Sequence, residues 1–217
     1  AGRAVYSASH KHYCGNNDAF PQTTPWTFQR GTATTKVATQ VNTQDYLGYP
    51  DHRGRPSPTI LRWFPDINAG TFTGKSQGPW TVHGNDQYVL FGGEFTRVEN
   101  VPQQGLVRFA VSSIAPNRRG PSLTGANLPL RASSPAAGQV RLTWKANRDP
   151  DNETLSYRIH RGEETSPAIY QGTMTTPFWE PRAMTFLDKA APPGTSQRYR
   201  LVVTASFGNA ARSDGAS

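Results

Sequence analysis

The sequence predicts an all-β protein that is rich in turns. Of its 217 residues, 20 are glycine and 18 are proline, whereas methionine (2) and cysteine (1) are scarce. Thr, Val, Tyr, Phe and Trp recur in short segments that alternate polar and apolar residues, without long periodic runs of Leu, Ala, Glu and Lys. Both features are typical of short strands joined by turns. A chain of this length can form one large or two modest domains, each with its own core.

The first half contains several strand-like segments. Residues 4–8 and 36–41 are predicted to be strands because β-branched and apolar residues recur in them. Residues 79–82 and 88–91 are predicted to pair as a hairpin, since a Gly-Asn-Asp turn lies between them.

The most informative stretch covers residues 88–110, with the sequence YVLFGGEFTRVENVPQQGLVRFA. Two apolar runs, residues 88–91 and 105–109, flank a polar connection, which predicts a strand–turn–strand unit. Gly92 and Gly93 end the first run, where the lack of a Cβ atom permits tight strand packing or a bulge.

This stretch resembles the delta-60 β-propeller repeat of large secreted bacterial proteins. The resemblance covers about one blade and lies in Gly-Gly-x-Phe at residues 92–95 and Gly-Leu-x-Arg-Phe at residues 105–109. It implies that residues 1–112 form a partial β-propeller-like sheet region of a secreted or cell-surface bacterial protein. Since one or two blades cannot close a ring, it also implies that the remainder of a larger propeller lies upstream.

A linker is predicted at residues 113–126, which are rich in Pro, Gly, Ser and Arg and show no periodicity. Residues 127–217 are predicted to form a second domain. Its strands are predicted from alternating apolar positions and lie at residues 139–144, 155–161, 168–170, 185–188, 199–205 and 210–214.

The second domain resembles a fibronectin type III domain. Trp144 matches the core tryptophan on the second strand of that family, and Tyr157 matches its third-strand tyrosine. Leu187 fits the hydrophobic position before the corner. Pro-Gly-Thr at residues 193–195, followed by Tyr199, fits the corner whose tyrosine ties the loop to the sheet. The resemblance implies an Ig-like β-sandwich with these aromatic residues inside it.

Charge and hydropathy argue against two classes of partner. The formal net charge is +8, but the basic residues are scattered and many alternate with apolar ones, as on the solvated face of strands. We therefore expect no binding of nucleic acid. No segment reaches the apolar length of a membrane helix, so we expect no membrane span.

One short motif contains candidate metal ligands. His10, His12 and Cys14 would lie on one face at two-residue spacing if the segment were extended. Two imidazoles and a thiolate suit zinc or copper. The sequence shows no evident fourth ligand, and His83 or Asp18 could serve only through tertiary proximity. The alternative is a loop with half-buried histidines and an incidental thiol.

An acidic loop is a second candidate metal site. Residues 149–153, Asp-Pro-Asp-Asn-Glu, place three carboxylates between two predicted strands. Oxygen ligands at alternating positions suit calcium. The alternative is an ordinary acidic turn between sandwich strands. No other cofactor is predicted.

Aromatic residues outside the predicted sandwich core could stack against sugar rings. These residues are Trp26, Trp63, Phe64, Trp80 and Trp179. Trp63 and Trp80 are predicted to pack between sheets instead. Trp179 is predicted to be exposed and is the candidate ligand-binding residue.

No catalytic residue is predicted. Residues 74–78 match Gly-x-Ser-x-Gly, but a nucleophile elbow needs a helix after the serine, and none is predicted there. Asp66 and Glu94 are the one carboxylate pair of the first half worth naming for glycosidase chemistry. Nothing in the sequence places them together.

The two resemblances imply a non-catalytic modular scaffold or binding fragment of a secreted or cell-surface bacterial protein. Such a fragment would mediate contacts with protein or polysaccharide. The alternative is an ancillary part of a secreted polysaccharide-degrading glycosidase, because fibronectin type III modules accompany such enzymes as spacers.

Overall fold

The computed structural model confirms that the protein is all-β. It describes residues 1–111, 113–115, 120–149 and 152–217. Strands account for 42% of the chain. In the described ranges, helical structure is confined to one 3-10 turn at Gly15–Asn17.

The chain divides into two compact units, unit 1 (Ala1–Pro116) and unit 2 (Asn117–Ser217). Each unit is built from small antiparallel sheets. Within the described ranges, no helix has the length and apolar character needed to cross a membrane.

Unit 1 contains four sheets of two or three strands within the described ranges. The sheets have the orders β1-β2, β3-β4, β5-β6-β9 and β7-β8. The strands are β1 (Ala4–Lys11), β2 (Gln29–Thr35), β3 (Gln40–Val41), β4 (Pro56–Ser57), β5 (Pro79–Gly84), β6 (Tyr88–Gly93), β7 (Arg97–Val98), β8 (Val101–Pro102) and β9 (Leu106–Ala110). The predicted hairpin β5-β6 and the predicted pairing of β6 with β9 are confirmed.

The prediction of a strand across residues 36–41 is wrong for most of that segment. Only its last two residues belong to a strand, β3, and Val37 is exposed at a bend. The strand β2 lies just before it and escapes the sequence pattern because its buried residues are small. Thr32 and Ala33 are both almost fully buried. Small residues fill tightly packed strand positions without producing an apolar alternation.

Aromatic rings form the core beneath β6 and β9. Phe91 is fully buried and meets Phe109 edge to face, with ring centroids 5.9 Å apart. Trp63 packs against both rings, 5.8 Å from Phe91 and 5.1 Å from Phe109, and its centroid lies 5.0 Å from that of Tyr6 on β1. The prediction that Trp63 packs between sheets is therefore confirmed.

Two backbone features shape the connection between β6 and β9. Gly93 lies so close to β5 that an added Cβ would sit 2.6 Å from Pro79 Cα, which no side chain tolerates. Glu99 and Asn100 form the two-residue turn between β7 and β8 with φ angles of 54° and 64°. Left-handed φ values at both positions match the right-handed twist of the flanking strands.

In its described residues, unit 2 contains two sheets with the orders β10-β11-β14 and β13-β12-β15-β16. The strands predicted from alternating apolar residues are present. Strand β10 was not predicted, because its sequence RASSPA carries proline and serine where an apolar alternation would be expected. The strands are β10 (Arg131–Ala136), β11 (Gln139–Lys145), β12 (Thr154–Arg161), β13 (Ala168–Thr175), β14 (Ala183–Asp188), β15 (Tyr199–Thr204) and β16 (Ala210–Arg212).

Both sheets of unit 2 contribute side chains to one hydrophobic core. Trp144 on β11, Tyr157 on β12 and Tyr199 on β15 are buried in it, as expected from the sequence. Phe186, rather than Leu187, packs against this core from β14. Successive residues of a strand face opposite sides, so Leu187 takes the outer face and remains half-buried.

An ion-pair network joins the two sheets of unit 2. The Arg161 guanidinium on β12 donates to both carboxylate oxygens of Asp188 on β14, with an Nη2–Oδ2 distance of 2.6 Å. The Tyr199 hydroxyl on β15 donates to Asp188 Oδ2 at 3.0 Å, and the Ala190 backbone N–H donates to Oδ1 at 3.0 Å. Asp188 is buried. Every carboxylate oxygen in this network therefore has a donor, which a buried carboxylate requires.

The same network sets the pKa values of its members. Burial acts to raise the pKa of Asp188, but the hydrogen bonds from Arg161, Ala190 and Tyr199 outweigh it, so this pKa is lowered. Burial and the neighbouring carboxylate raise the pKa of Tyr199 to about 12. The network is therefore charged on Arg161 and Asp188 and neutral on Tyr199 near neutral pH.

The predicted linker at residues 113–126 is described in part. Ser112, just before it, and residues 116–119 within it lie outside the described residues. Leu123 packs against the core of unit 2, and its backbone N–H donates to Asn147 Oδ1 at 3.0 Å. Gly125 forms a parallel bridge with Ser213.

Candidate functional site

The residues that flank β1 and β2 form an aromatic cluster on unit 1. The two strands pair as far as Lys11 and Gln29. His12 follows the end of β1 and Phe28 precedes the start of β2, so the strand register brings these two rings together. Their centroids lie 6.0 Å apart.

The centre of this cluster is a stacked pair. The rings of His12 and Trp26 are parallel within 4°, with centroids 4.1 Å apart. The Tyr49 hydroxyl donates to Gln22 Oε1 at 2.8 Å and lies 2.9 Å from His12 Nε2. Because the single hydroxyl proton is committed to Gln22, His12 Nε2 carries a hydrogen and donates it to the Tyr49 oxygen.

The loop that carries Tyr49 is held by local hydrogen bonds. Asp45 Oδ1 accepts the backbone N–H groups of Leu47 and Tyr49, each at 2.9 Å. The Tyr13 ring stacks on Tyr49 with centroids 5.4 Å apart. Burial, together with the nearby Asp45 carboxylate, raises the pKa of Tyr13. An aspartate that caps its own loop in this way fixes the loop backbone.

We call the surface formed by His12, Trp26 and Tyr49 the aromatic platform. Trp26 is 52% exposed and Tyr49 is 37% exposed, yet both rings have aromatic neighbours. Phe72 and Trp80 are also exposed, but within the described ranges neither has a ring neighbour. The platform therefore combines accessibility with a fixed ring geometry.

Sequence reasoning identified Trp26 and His12 but did not connect them. They lie 14 residues apart in the chain, in segments without periodicity, and Tyr49 lies on a third segment. The sequence feature that could have indicated this site is the number of aromatic residues near the start of the chain, since Tyr13, Trp26 and Tyr49 all lie in the first fifty residues.

The candidate zinc ligands are not arranged as the sequence suggested. β1 ends at Lys11, so the two-residue alternation does not continue to Cys14, which instead caps the 3-10 turn. His10 is exposed, and the His12 ring is engaged by Trp26 and Tyr49. In the described part of the chain, no group of three His, Cys, Asp or Glu side chains is placed to hold a metal ion. The zinc site remains a prediction without geometric support.

The Cys14 thiol is half-buried and forms no disulfide. Burial raises its pKa to about 11, while the nearby charge of Lys11 acts in the opposite direction. A thiol with this pKa is almost entirely protonated near neutral pH and is a poor nucleophile or metal ligand.

A polar cluster next to Cys14 was not foreseen. Lys11 Nζ donates to Ser7 Oγ at 2.6 Å and to Thr32 Oγ1 at 2.9 Å, and the two hydroxyls lie 2.8 Å apart. Burial lowers the pKa of Lys11, and the nearby Cys14 acts to raise it. Ser7 and Thr32 are register partners on β1 and β2, and Thr32 is fully buried. We interpret these hydrogen bonds as a polar contact that holds β1 and β2 together.

Trp179 does not stand free in solvent. It lies in the turn between β13 and β14, in which the Glu180 backbone N–H donates to the Pro177 carbonyl at 3.2 Å. Its ring meets Phe178 edge to face at 5.0 Å, and the side chain is half-buried. Trp80, predicted to pack between sheets, is instead 56% exposed, so that prediction is wrong. It lies on β5 with its side chain on the outer face.

Two residues of the candidate calcium loop, Pro150 and Asp151, lie outside the described residues. Asp149 is buried, and its Oδ1 accepts a hydrogen bond from Asn152 Nδ2 at 3.4 Å. The Ser206 hydroxyl donates to Asn152 Oδ1 at 2.7 Å. Asn152 therefore takes part in the loop's own hydrogen bonds, and the calcium site remains a prediction.

Of the two carboxylates named for glycosidase chemistry, that of Glu94 is engaged in loop structure, whereas Asp66 is exposed. Glu94 accepts hydrogen bonds from the backbone N–H and the hydroxyl of Thr73. The Asp66 backbone N–H donates to Glu99 Oε1 at 2.8 Å. After the Gly-x-Ser-x-Gly match, the strand β5 follows rather than the helix that a nucleophile elbow needs.

No protein-family model matches this chain, and no curated protein is significantly similar to it. Function is therefore inferred from the geometry and chemistry of the described residues.

Proposed function

We propose that this chain is a non-catalytic binding fragment of a secreted or cell-surface bacterial protein and that it contacts polysaccharide. The observation that carries the proposal is the distribution of exposed hydrophobic residues. Of the fourteen large hydrophobic residues that are exposed in the described ranges, thirteen belong to unit 1. Unit 1 therefore supplies nearly all of the exposed large apolar side chains that could pack against a ligand.

Unit 2 is proposed to be a fibronectin type III-like sandwich. The seven strands in two antiparallel sheets found in the described part of this unit support the assignment, as does the burial of Trp144 and Tyr199 between the sheets. The Tyr199 hydroxyl is bonded to the Asp188 carboxylate near the end of β14, which supports the role of a corner tyrosine. In this proposal unit 2 is a spacer or docking module.

Unit 1 is proposed to be a partial, delta-60-like propeller region. The three-stranded antiparallel sheet β5-β6-β9 supports this, because its central strand and its last strand carry the two segments of the resemblance. The close approach of Gly93 to β5 gives a physical reason for the second glycine of Gly-Gly-x-Phe. In this proposal unit 1 carries the binding surface.

Co-sedimentation with insoluble polysaccharide tests the proposed function. The full chain is incubated with cellulose, chitin or xylan particles, with serum albumin as a protein that should stay in solution. We expect the chain to pellet with at least one of the three and to be released by an excess of the matching soluble oligosaccharide. A chain that stays in the supernatant with all three contradicts the proposal.

The same samples distinguish binding from hydrolysis. We expect no increase in reducing ends in the supernatant over the time in which binding reaches equilibrium. Release of reducing ends by the purified chain would favour glycosidase activity and contradict the non-catalytic assignment.

A further inference from the structure

Trp26 presents a ring whose orientation is fixed before any ligand arrives. His12 stacks against one face at 4.1 Å, and Phe28 meets the ring at an angle of 72° with centroids 6.4 Å apart. Half of the side chain is nevertheless exposed. A ring held in this way loses little conformational freedom on binding, which favours affinity per unit of contact area.

Three hydrogen-bonding groups lie beside that ring. The Tyr49 hydroxyl, the Gln22 amide and the His12 imidazole form a chain of hydrogen bonds of 2.9 Å and 2.8 Å. The Tyr49 oxygen retains a lone pair and the Gln22 amide nitrogen retains donors, so the chain can bond to hydroxyl groups of a ligand. An apolar face bordered by such groups fits a ligand that is itself apolar on its faces and hydroxylated at its edges.

Two charged side chains near the aromatic cluster take part in contacts of their own. Arg30 lies over the Phe28 ring at 5.6 Å, and its Nη1 donates to the Ile67 carbonyl at 3.3 Å. Asp45 Oδ1 accepts the backbone N–H groups that hold the Tyr49 loop. The platform itself contains no Lys, Arg, Asp or Glu side chain, so a neutral ligand suits it.

From these observations we infer that the aromatic platform binds a neutral glycan chain of equatorially linked pyranose rings. In such rings the C–H bonds line both flat faces and the hydroxyl groups project from the edges. One flat face packs on the exposed part of Trp26, and edge hydroxyls bond to Tyr49 and Gln22. This inference rests on the proposed function and names the site and the ligand class.

The test is isothermal titration calorimetry on the full chain with cellohexaose and with chitohexaose. We expect wild-type protein to bind at least one of them. Trp26→Ala should weaken that binding at least about 10-fold, because it removes the stacking surface. Tyr49→Phe keeps the ring and removes only the hydroxyl, so we expect a smaller loss of about 3-fold.

The matched control is Trp80→Ala, since Trp80 is also on unit 1 and is 56% exposed. We expect its affinity to stay within about 2-fold of the wild-type value, because exposed residues without ring contacts contribute little to a site elsewhere. Near-ultraviolet circular dichroism of each variant reports whether unit 1 remains folded, and Tyr49→Phe gives an answer even if Trp26→Ala is destabilised.

Several outcomes would overturn the inference. Hexasaccharide binding that survives Trp26→Ala, or that is lost on Trp80→Ala or Trp179→Ala instead, places the site elsewhere and leaves the proposed function standing. Binding of a fifteen-residue oligothymidylate without binding of either hexasaccharide would show that the ligand is a nucleic acid and not a neutral glycan. Absence of any binding to the hexasaccharides overturns the inference, and co-sedimentation then decides the proposed function separately.

Discussion

Units 1 and 2 use the same kind of secondary structure but are held together in different ways. Unit 2 places its large residues between two facing sheets and ties those sheets together through Asp188. Unit 1 has smaller sheets, and its connections depend on polar side chains that bond to nearby backbone. Asn68 Oδ1, for example, accepts the N–H groups of Thr96 and Arg97 at 3.0 Å and 2.7 Å. Asn85 and Asp45 play the same part in their own loops.

The difference explains how unit 1 presents aromatic rings at its surface. Its loops are held by hydrogen bonds from polar side chains, so the exposed rings need not be buried to hold the loops. Unit 2 encloses three large aromatic side chains, Trp144, Tyr157 and Tyr199, in its core. A surface ring in unit 1 is positioned by its own contacts, as the stack of His12 on Trp26 illustrates. The proposed binding surface therefore lies on unit 1, whose own stability rests on the rings of Phe91, Trp63 and Phe109.

Asp188→Ala should produce the largest effect and should be confined to unit 2. The change leaves the Arg161 charge without its carboxylate and removes the acceptor of the Tyr199 hydroxyl. We expect a loss of about 3–5 kcal/mol in the free energy of unfolding of unit 2. Hydrogen exchange in increasing denaturant, resolved by peptide, measures each unit separately.

Asp214→Ala is the matched control, because Asp214 is an exposed aspartate of the same unit. We expect a change of less than about 0.5 kcal/mol. An equal loss of protection in unit 1 after Asp188→Ala would show that the two units do not unfold separately.

Phe91→Ala should destabilise unit 1 in the way that Asp188→Ala destabilises unit 2. Phe91 is fully buried against Trp63 and Phe109, so its removal leaves a cavity that costs about 3–5 kcal/mol. Phe72→Ala removes the same side chain from a position that is 97% exposed and should cost less than about 0.5 kcal/mol. The same exchange experiment checks both, and comparable losses for the two variants would contradict the aromatic core described for unit 1.

Acid should weaken unit 2 through Asp188. Because the pKa of Asp188 is lowered in the folded state, its contribution is complete above the unfolded pKa of about 4 and is lost as pH falls through the folded pKa. We expect the free energy of unfolding of unit 2 to fall below about pH 4, by an amount that shrinks in Asp188→Asn. Urea unfolding between about pH 6 and pH 2.5 measures this, and an identical acid slope in both proteins would exclude Asp188 as the cause.

Lys11→Met should have the smallest effect. The buried ammonium is costly, while Ser7 and Thr32 can still bond to each other after its removal, so at neutral pH we expect a change within about 1 kcal/mol. Because the pKa of Lys11 is lowered by burial, the unfolded chain binds more protons between the folded pKa and about 10.5. Wild-type stability should therefore rise relative to Lys11→Met as pH increases in that window. A difference that stays constant up to about pH 10 would contradict this.

Most of unit 2 could be predicted because its strands bury one face. The alternation of Val140, Leu142 and Trp144 with polar residues identifies a strand from local sequence alone. The links between strands could not be predicted in the same way. Arg161 and Asp188 are 27 residues apart, and neither position carries a periodic signal.

The candidate site was harder to predict than the fold. The platform depends on three loop segments, and the conformation of a loop follows from its particular hydrogen bonds rather than from a repeating pattern. Trp179 is predicted to be exposed from its position between Phe178 and Glu180-Pro181, but its ring packs edge to face against Phe178. Trp26 could be recognised as the better candidate only once its neighbours were placed.

The half-buried thiol of Cys14, two residues after His12, has a consequence of practical use. Cys14 is the single cysteine of the chain, and burial keeps it protonated near neutral pH. Its alkylation by a maleimide should therefore be slow and should speed up when the segment around the 3-10 turn opens, so the labelling rate reports that opening. A glycan bound at the proposed site should lower this labelling rate, and no engineered probe is needed to measure it.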